Sequence, residues 1–301
     1  MSRFASLAVC CVAVAAMGLI VSETAPLSLS IGGFNIILTL AVVAIGIQWL
    51  AFIPAVLKRT EVFYDIVGTG TFAVLASLAW TVAALESMTD LRRTVLVALV
   101  LIWAVRLGVY LGRRIHAVGK DGRFDAIKQN TAQFFMTWTL QGLWTFLTLL
   151  PVLLIVTDKR SGPSLTWVDF VGWALWGVGM SVEVIADWQK NQFRVRGDNQ
   201  NKWIDEGLWS ISQHPNYFGE ILLWSGLFVS GLHMYSGATW LSILSPIFVY
   251  ILLTRMSGIP MLRERAQARW GSDPAYDAYL KRTRRLLPLP KKTPSLVGKH
   301  E

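Results

Sequence analysis

The chain has 301 residues, 53% of them hydrophobic and 16% charged, with 14 tryptophans, a mean hydropathy of +0.47 and a formal net charge of +9. A soluble domain averages about 25% charged residues, so the composition argues against a soluble globule and for a membrane protein. Cys10 and Cys11 stand side by side and exclude a disulfide framework, and four scattered histidines lack metal-ligand spacing, so no metal site is expected.

Eight apolar stretches are candidates to cross about 30 Å of hydrocarbon. They cover residues 4–21, 31–57, 66–85, 94–111, 132–156, 167–186, 218–232 and 238–254. The first follows Arg3 and resembles a signal peptide, but its length and the lack of a small-residue cleavage site favour a retained helix. The seventh and eighth are short and joined by a tight turn, as in a hairpin that only just spans. The expected fold class is an all-α integral membrane protein, a bundle of seven to eight transmembrane helices with a cofactor pocket facing the cytoplasm. Residues 1–57 are expected to form N-terminal helices, 58–290 a catalytic membrane domain, and 291–301 a polar tail.

Charge placement orients this map. With both termini cytoplasmic, 23 Lys and Arg fall on inside segments and four (Arg92, Arg93, Lys159, Arg160) on outside loops, with Arg106 left inside the fourth helix. That asymmetry follows the positive-inside rule. It explains most of the net charge without nucleic acid, for which no recognition motif is present.

Ionisable groups within membrane helices are costly and usually face a cavity or a partner. Taken in chain order, Tyr64 and Asp65 open the third helix, where they serve either as interfacial anchors or as a site. Arg106, Tyr110 and Arg113 are spaced 4 and 3 on the fourth helix and share a face, with Arg114 beside them. Guanidinium groups there suit phosphate. On the sixth helix Glu183, Asp187, Asn191 and Arg194, spaced 4, 4 and 3, form a polar stripe running out of the membrane. The stretch QHPNYFGE starts the seventh helix: Pro215 suits a first helical position, and Asn216 and Glu220 share a face, with His214 and Tyr217 adjacent. An amide and a carboxylate one turn apart suit a carboxamide or a ribose diol. The tail IPMLRERAQARW, with Arg263 and Glu264, either lies on anionic lipid or folds back over the cytoplasmic mouth.

Joined in one pocket, these clusters offer arginines at one part and Asp, Asn and Glu at another. NADPH fits that pattern, with membrane lipid or another apolar, lipid-like substrate on the pocket floor. S-adenosylmethionine is the competitor; it lacks phosphates and needs fewer arginines.

EVIADWQKNQFR, GLWSISQHPNYFGEILLWSG and the tail YLKRTRRLLP resemble the C-terminal domain of the steroid 5-alpha-reductase superfamily. The closest likeness is to an uncharacterised bacterial membrane branch, with a more distant one to isoprenylcysteine carboxyl methyltransferases. The resemblance covers about residues 60 to 290 and implies an integral protein of the bacterial inner membrane that uses NADPH to reduce a C=C bond. It implies nicotinamide contacts at Asn216 and Glu220, and further cofactor contacts at Glu183, Asp187, Arg194 and Lys202. This chain departs from the reductases at Glu183, where they carry an amide, and at Lys202, which keeps only the charge of a Tyr-Arg pair. A carbonyl-holding Tyr expected on the arginine-bearing helix falls near Trp103. Asp65 stands in for the reductases' early Glu as a protonated donor, with Tyr64 and Tyr110 as further proton-donor candidates. The alternative reading is an S-adenosylmethionine-dependent lipid methyltransferase in which His214, Asn216, Tyr217 and Glu220 hold the cofactor.

Overall fold

The computed structural model describes residues 2–289 except 161 and 200; the segment 291–301, expected as a polar tail, lies outside the described residues. The described chain is almost wholly helical. Its helices are α1 (Arg3–Thr24), α2 (Ile36–Lys58), α3 (Tyr64–Leu85), α4 (Leu91–Val118), α5 (Thr131–Val156), α6 (Trp167–Val195), α7 (Pro215–Val229), α8 (Leu244–Ile251), α9 (Ile259–Trp270) and α10 (Pro274–Arg282). The sheet content is one two-residue antiparallel pair, Ser30–Ile31 with Phe34–Asn35.

Seven segments among the described residues are long and apolar enough to cross a membrane, and the chain is an integral membrane protein. Six are the helices α1 to α6. The seventh runs from Gly237 to Trp270 through a 3-10 turn, α8, a π-helical turn at Leu252–Met256, and α9. The expected span at 218–232 is not among them. α7 has 15 residues, and at 1.5 Å per residue it rises about 22 Å, short of the hydrocarbon thickness.

Chain contacts divide the molecule into two units: residues 1–169 with 227–245, and residues 170–226 with 246 to the C-terminus. The expected boundary after residue 57 falls inside the first unit.

In the first unit α5 is the central helix. It is apolar on every face from Leu149 to Val156, all buried, and an all-round apolar helix belongs inside a bundle. Helices α1 to α4 contact it and turn residues such as Leu19, Val42, Leu50 and Ile53 outward, where lipid receives them. Gly142 lets α5 lie against α2: a Cβ there would come within 2.8 Å of Ile45 Cδ1 and 3.2 Å of the Ala44 carbonyl. Asparagine or aspartate caps open three helices, with Asn35, Asp90 and Asn130 accepting first-turn amides.

Two of the four cations expected in outside loops are not solvated. Arg92 and Arg93 are each 2% exposed. Arg92 forms a bidentate pair with Asp169 (2.6 and 3.1 Å) and donates to the Pro163 and Ser164 carbonyls. Arg93 donates to the carbonyls of Met88, Ile155, Asp158 and Arg160. Together they tie the 156–166 loop to the start of α4.

In the second unit α6 and α7 touch through glycines. A Cβ on Gly179 would stand 2.6 Å from the Gly219 carbonyl, one on Gly219 2.5 Å from the Gly179 carbonyl, and one on Gly226 2.6 Å from the Gly172 carbonyl. The spacing is seven on both helices, two turns, so the glycines form a seam along which the backbones meet.

Candidate functional site

The glycine seam sets what surrounds it. Glu183 stands one turn after Gly179, and its backbone lies against Gly219. One turn further, Asn216 Nδ2 donates to Asp187 Oδ1 at 3.4 Å. Glu183 and Asp187 are 4% and 5% exposed, so the expected stripe turns inward at its start. Asn191 and Arg194, further along, are exposed. Glu220 is half-buried on α7.

Beyond this seam the second unit encloses a cavity of about 690 Å3, within the size range of small-molecule and cofactor sites. Its walls come from the end of α6, residues 199 and 201–204, the 209–214 stretch before α7, α9, α10 and the strand-like 283–285 segment. Side chains hold these pieces together. Trp209 donates its indole N–H to the Ala186 carbonyl at 3.0 Å, and the Tyr279 hydroxyl donates to the Trp209 carbonyl at 2.9 Å. Gln213 Nε2 donates to the carbonyls of Leu280 and Thr283, and Ser212 pairs with Arg284 in a parallel bridge. The C-terminal segment therefore folds back over the approach to α7. Asn201 is anchored by Trp270 Nε1 and Arg269, both at 2.5 Å.

The cavity's charge is one-sided. Among the described residues Lys190, Arg194, Lys202, Arg263, Arg265, Arg269 and Arg285 line it, and no Asp or Glu does. Neighbouring cations outside it are neutralised: Arg196 by Glu206, Lys281 by Asp277 and Arg282 by Asp205, each at 2.6 Å. Among the described residues, Arg194, Lys202, Arg263 and Arg265 have no carboxylate partner. Aromatic rings are interleaved with the cations. Trp203 packs on Tyr276 and Trp270, and Lys190 sits 4.8 Å above the Trp209 ring.

His214 also lines this cavity. Its ring stacks on Tyr217, 5.6 Å between centroids and 15° between planes. Burial, reinforced by the charges of Lys190 and Arg285, pushes its imidazole down to about 3. It stays neutral at physiological pH.

The sequence-derived cofactor set is thus divided. Arg194, Lys202, His214 and Arg263 line the cavity; Asp187 and Asn216 meet each other on the α6–α7 seam; Glu264 is exposed on α9. Among the wall residues outside that set are the cations Lys190, Arg265, Arg269 and Arg285 and the aromatic Trp203. For Arg265, Arg269 and Arg285 the signal was the basic, aromatic composition of the tail, which only the fold-back turns into a wall; Lys190 and Trp203 carried no such signal.

Arg106, Arg113, Arg114, Tyr64, Asp65 and Tyr110 belong to the first unit. The Arg106 guanidinium lies 5.6 Å from the centroid of the Tyr110 ring, and Arg113 is exposed. Arg114 bonds Asp65 at 3.0 Å and Asp121 at 3.3 Å, and Arg123 reaches both carboxylates. These contacts place the Asp65 carboxyl group, expected to be a proton donor, between two guanidinium groups. Tyr64 donates its hydroxyl to the Thr137 carbonyl at 3.1 Å and packs edge-on against Trp138. Its geometry is that of a helix anchor. Glu61 completes the cluster, taking the Asp121 amide at 2.9 Å and Lys128 at 2.5 Å.

No curated protein and no solved structure matches the chain. A family model described as a protein of unknown function, DUF1295, matches residues 51–283, more than two thirds of the sequence, and the chain belongs to that family.

Proposed function

We propose that the chain is a membrane-embedded reductase that holds NADPH in the cationic cavity and reduces an activated C=C bond of an apolar, lipid-like substrate. The observation that carries the cofactor half is the cavity's charge, seven Lys and Arg with no Asp or Glu on the wall. Four of those cations lack a carboxylate partner among the described residues. All four are exposed; gathered on one concave wall they raise a positive potential that attracts anions, and a ligand with several phosphates answers it. NADPH carries phosphate at its centre and on one ribose, and a planar adenine suited to stacking on the interleaved tryptophans and tyrosines. S-adenosylmethionine carries an ammonium and a sulfonium against one carboxylate. Its net positive charge is repelled by the same wall, so the methyltransferase reading is the weaker one.

The reductase half is supported by the likeness of the α6 exit, the QHPNYFGE turn and the tail to the steroid 5-alpha-reductase superfamily. The membrane setting supports it too, since it gives access to a lipid-soluble substrate. NADPH, when bound, supplies the hydride; the chain's residues bind and orient it. Arg194, Lys202 and Arg263 pair with phosphate, and Asp187, Asn216 and Glu220 read hydroxyl and amide groups.

The test is a thermal-shift series on detergent-purified protein with NADPH, NADH and S-adenosylmethionine. A ligand that binds only the folded state raises the melting temperature with its concentration. A shift with NADPH supports the proposal. A shift with S-adenosylmethionine alone transfers it to a methyltransferase, and no shift with any of the three removes the cofactor assignment.

A further inference from the structure

The cavity wall is rich in groups that only donate hydrogen bonds, and Lys, Arg and indole N–H cannot accept one. A phosphate is satisfied by such a wall. A nucleotide is not, because its ribose hydroxyls and amino groups also donate. We propose that His214 is the residue that accepts a hydrogen bond from a hydroxyl or amino donor of the ligand, and so makes the cavity selective for a nucleotide over a bare polyphosphate. This rests on the nucleotide reading above and adds to it the group that recognises the uncharged part.

Three observations support it. His214 lines the cavity directly before α7, where stacking on Tyr217 fixes the plane of its ring. Its backbone amide is bonded to Ser212 Oγ at 3.2 Å, which fixes its position, while among the described residues no group bonds its ring nitrogens. The charged groups that act on it are Lys190 from α6 and Arg285 from the C-terminal segment, both cations. The Tyr217 ring stacks beside it, and among the described residues no carboxylate is one of the charges that act on it. A neutral imidazole keeps one nitrogen with a lone pair. Of the other acceptors on the wall, Asn201 Oδ1 takes Arg269, the Thr283 and Tyr279 hydroxyls donate to backbone carbonyls, and the Asn199 and Gln213 amides are held by their N–H groups on the carbonyls of Phe193, Leu280 and Thr283.

The experiment uses the full chain in detergent with two probes, NADPH and inorganic pyrophosphate, on the wild type, His214→Phe and His214→Gln. The expected result is that His214→Phe weakens NADPH about tenfold, the scale of one lost hydrogen bond to a buried group, and leaves pyrophosphate unchanged. His214→Gln, which keeps an acceptor, recovers part of the loss. The ratio of wild-type to His214→Phe affinity for NADPH should stay constant between pH 6 and 8. A ratio that rises as the pH falls through about 6.5 would make His214 a phosphate-binding cation and overturn the inference, as would equal weakening of both probes. If the wild type responds to NADPH and both variants match it, this inference fails alone. If the wild type binds pyrophosphate but not NADPH, the nucleotide reading itself fails. Should His214→Phe not purify folded, His214→Gln against the wild type gives the same comparison at smaller amplitude.

Discussion

Gly179 of α6 and Gly219 of α7 meet backbone to backbone, each blocking the space a Cβ on the other would need, at 2.6 and 2.5 Å. Real Cβ atoms do not approach a carbonyl oxygen that closely, so a methyl at either site must push the helices apart. Gly179→Ala and Gly219→Ala should each cost about 1–3 kcal/mol, the usual penalty for overpacking. They should also open the Asp187–Asn216 contact. Lowered melting temperatures for both, against little change for Gly177→Ala on the same helix, would fit; Gly177 has open space at its Cβ position. Equal behaviour of all three would show that the seam is not tight.

If the unpaired cations hold phosphate, their loss is additive in charge and sensitive to salt. Arg194→Ala, Lys202→Ala and Arg263→Ala should each weaken NADPH by about tenfold or more, since hydrogen bonds to charged groups contribute roughly 1.5–3 kcal/mol. Glu264→Ala, on the exposed face of α9, should not. Raising the ionic strength from about 0.05 to 0.5 M should reduce the wild-type affinity and narrow the gap to the variants, because screening weakens exposed charges first. Glu220→Ala separates two arrangements. Loss of NADPH binding ties the α6–α7 seam to the cofactor, and full retention confines binding to the cationic wall.

Most of the helical layout was legible because each span declares itself by length and hydropathy alone. Even the central place of α5 is foreshadowed by FLTLLPVLLIV, a run without a charged residue. The seam and the cavity were not. Four glycines at a spacing of seven on two helices read as flexible positions until the facing helix is known. The wall built by α9 and α10 depends on the Gly271–Asp273 turn and on Ser212 meeting Arg284, a contact across more than 70 residues. Tyr64 and Asp65 look like a pair in sequence, yet on a helix adjacent side chains diverge by about 100°. One reaches Thr137 and the other Arg114. The buried Arg92 and Arg93 show the same limit. Their sequence reads as hydrated loop charge, and only the 156–166 loop, folding back on them, removes them from water.

Asp121 carries a pH dependence whose sign is fixed. Burial raises its carboxyl, but the bonds and charge of Arg123, with the charge of Arg114, more than offset it and hold the group below the ordinary value of 3.8. A carboxylate with a depressed folded pKa contributes stability that is present above the unfolded value and is lost as the pH falls through the folded one. The contribution should therefore be complete above about pH 5 and fade below about pH 4. Asp121→Asn should lower the melting temperature at pH 7 and flatten the acid limb of the profile. A variant with an unchanged acid limb would show that the Arg114–Asp65–Arg123–Asp121 cluster is not what acid unfolds.

The Arg92–Asp169 pair should be the most costly polar contact to break in the unit formed by residues 1–169 and 227–245. Both side chains are buried, 2% and 0% exposed, the pairing is bidentate, and Thr166 adds its amide to Asp169 Oδ2 at 2.8 Å. Removing one member of a buried pair leaves the other charge without compensation, at about 3–5 kcal/mol. The Pro163 and Ser164 carbonyls keep two of Arg92's bonds, so Asp169→Ala should fall at the low end of that range. Asp169→Asn, which keeps an acceptor oxygen, should cost less again. Arg92→Met combined with Asp169→Leu, which removes both charges, should recover much of the loss, since apolar replacement of a whole buried pair is often neutral. Melting temperatures of the four proteins in one detergent decide it. If the double variant is as unstable as Asp169→Ala, what matters is the tether to the 163–164 carbonyls rather than the balance of charge.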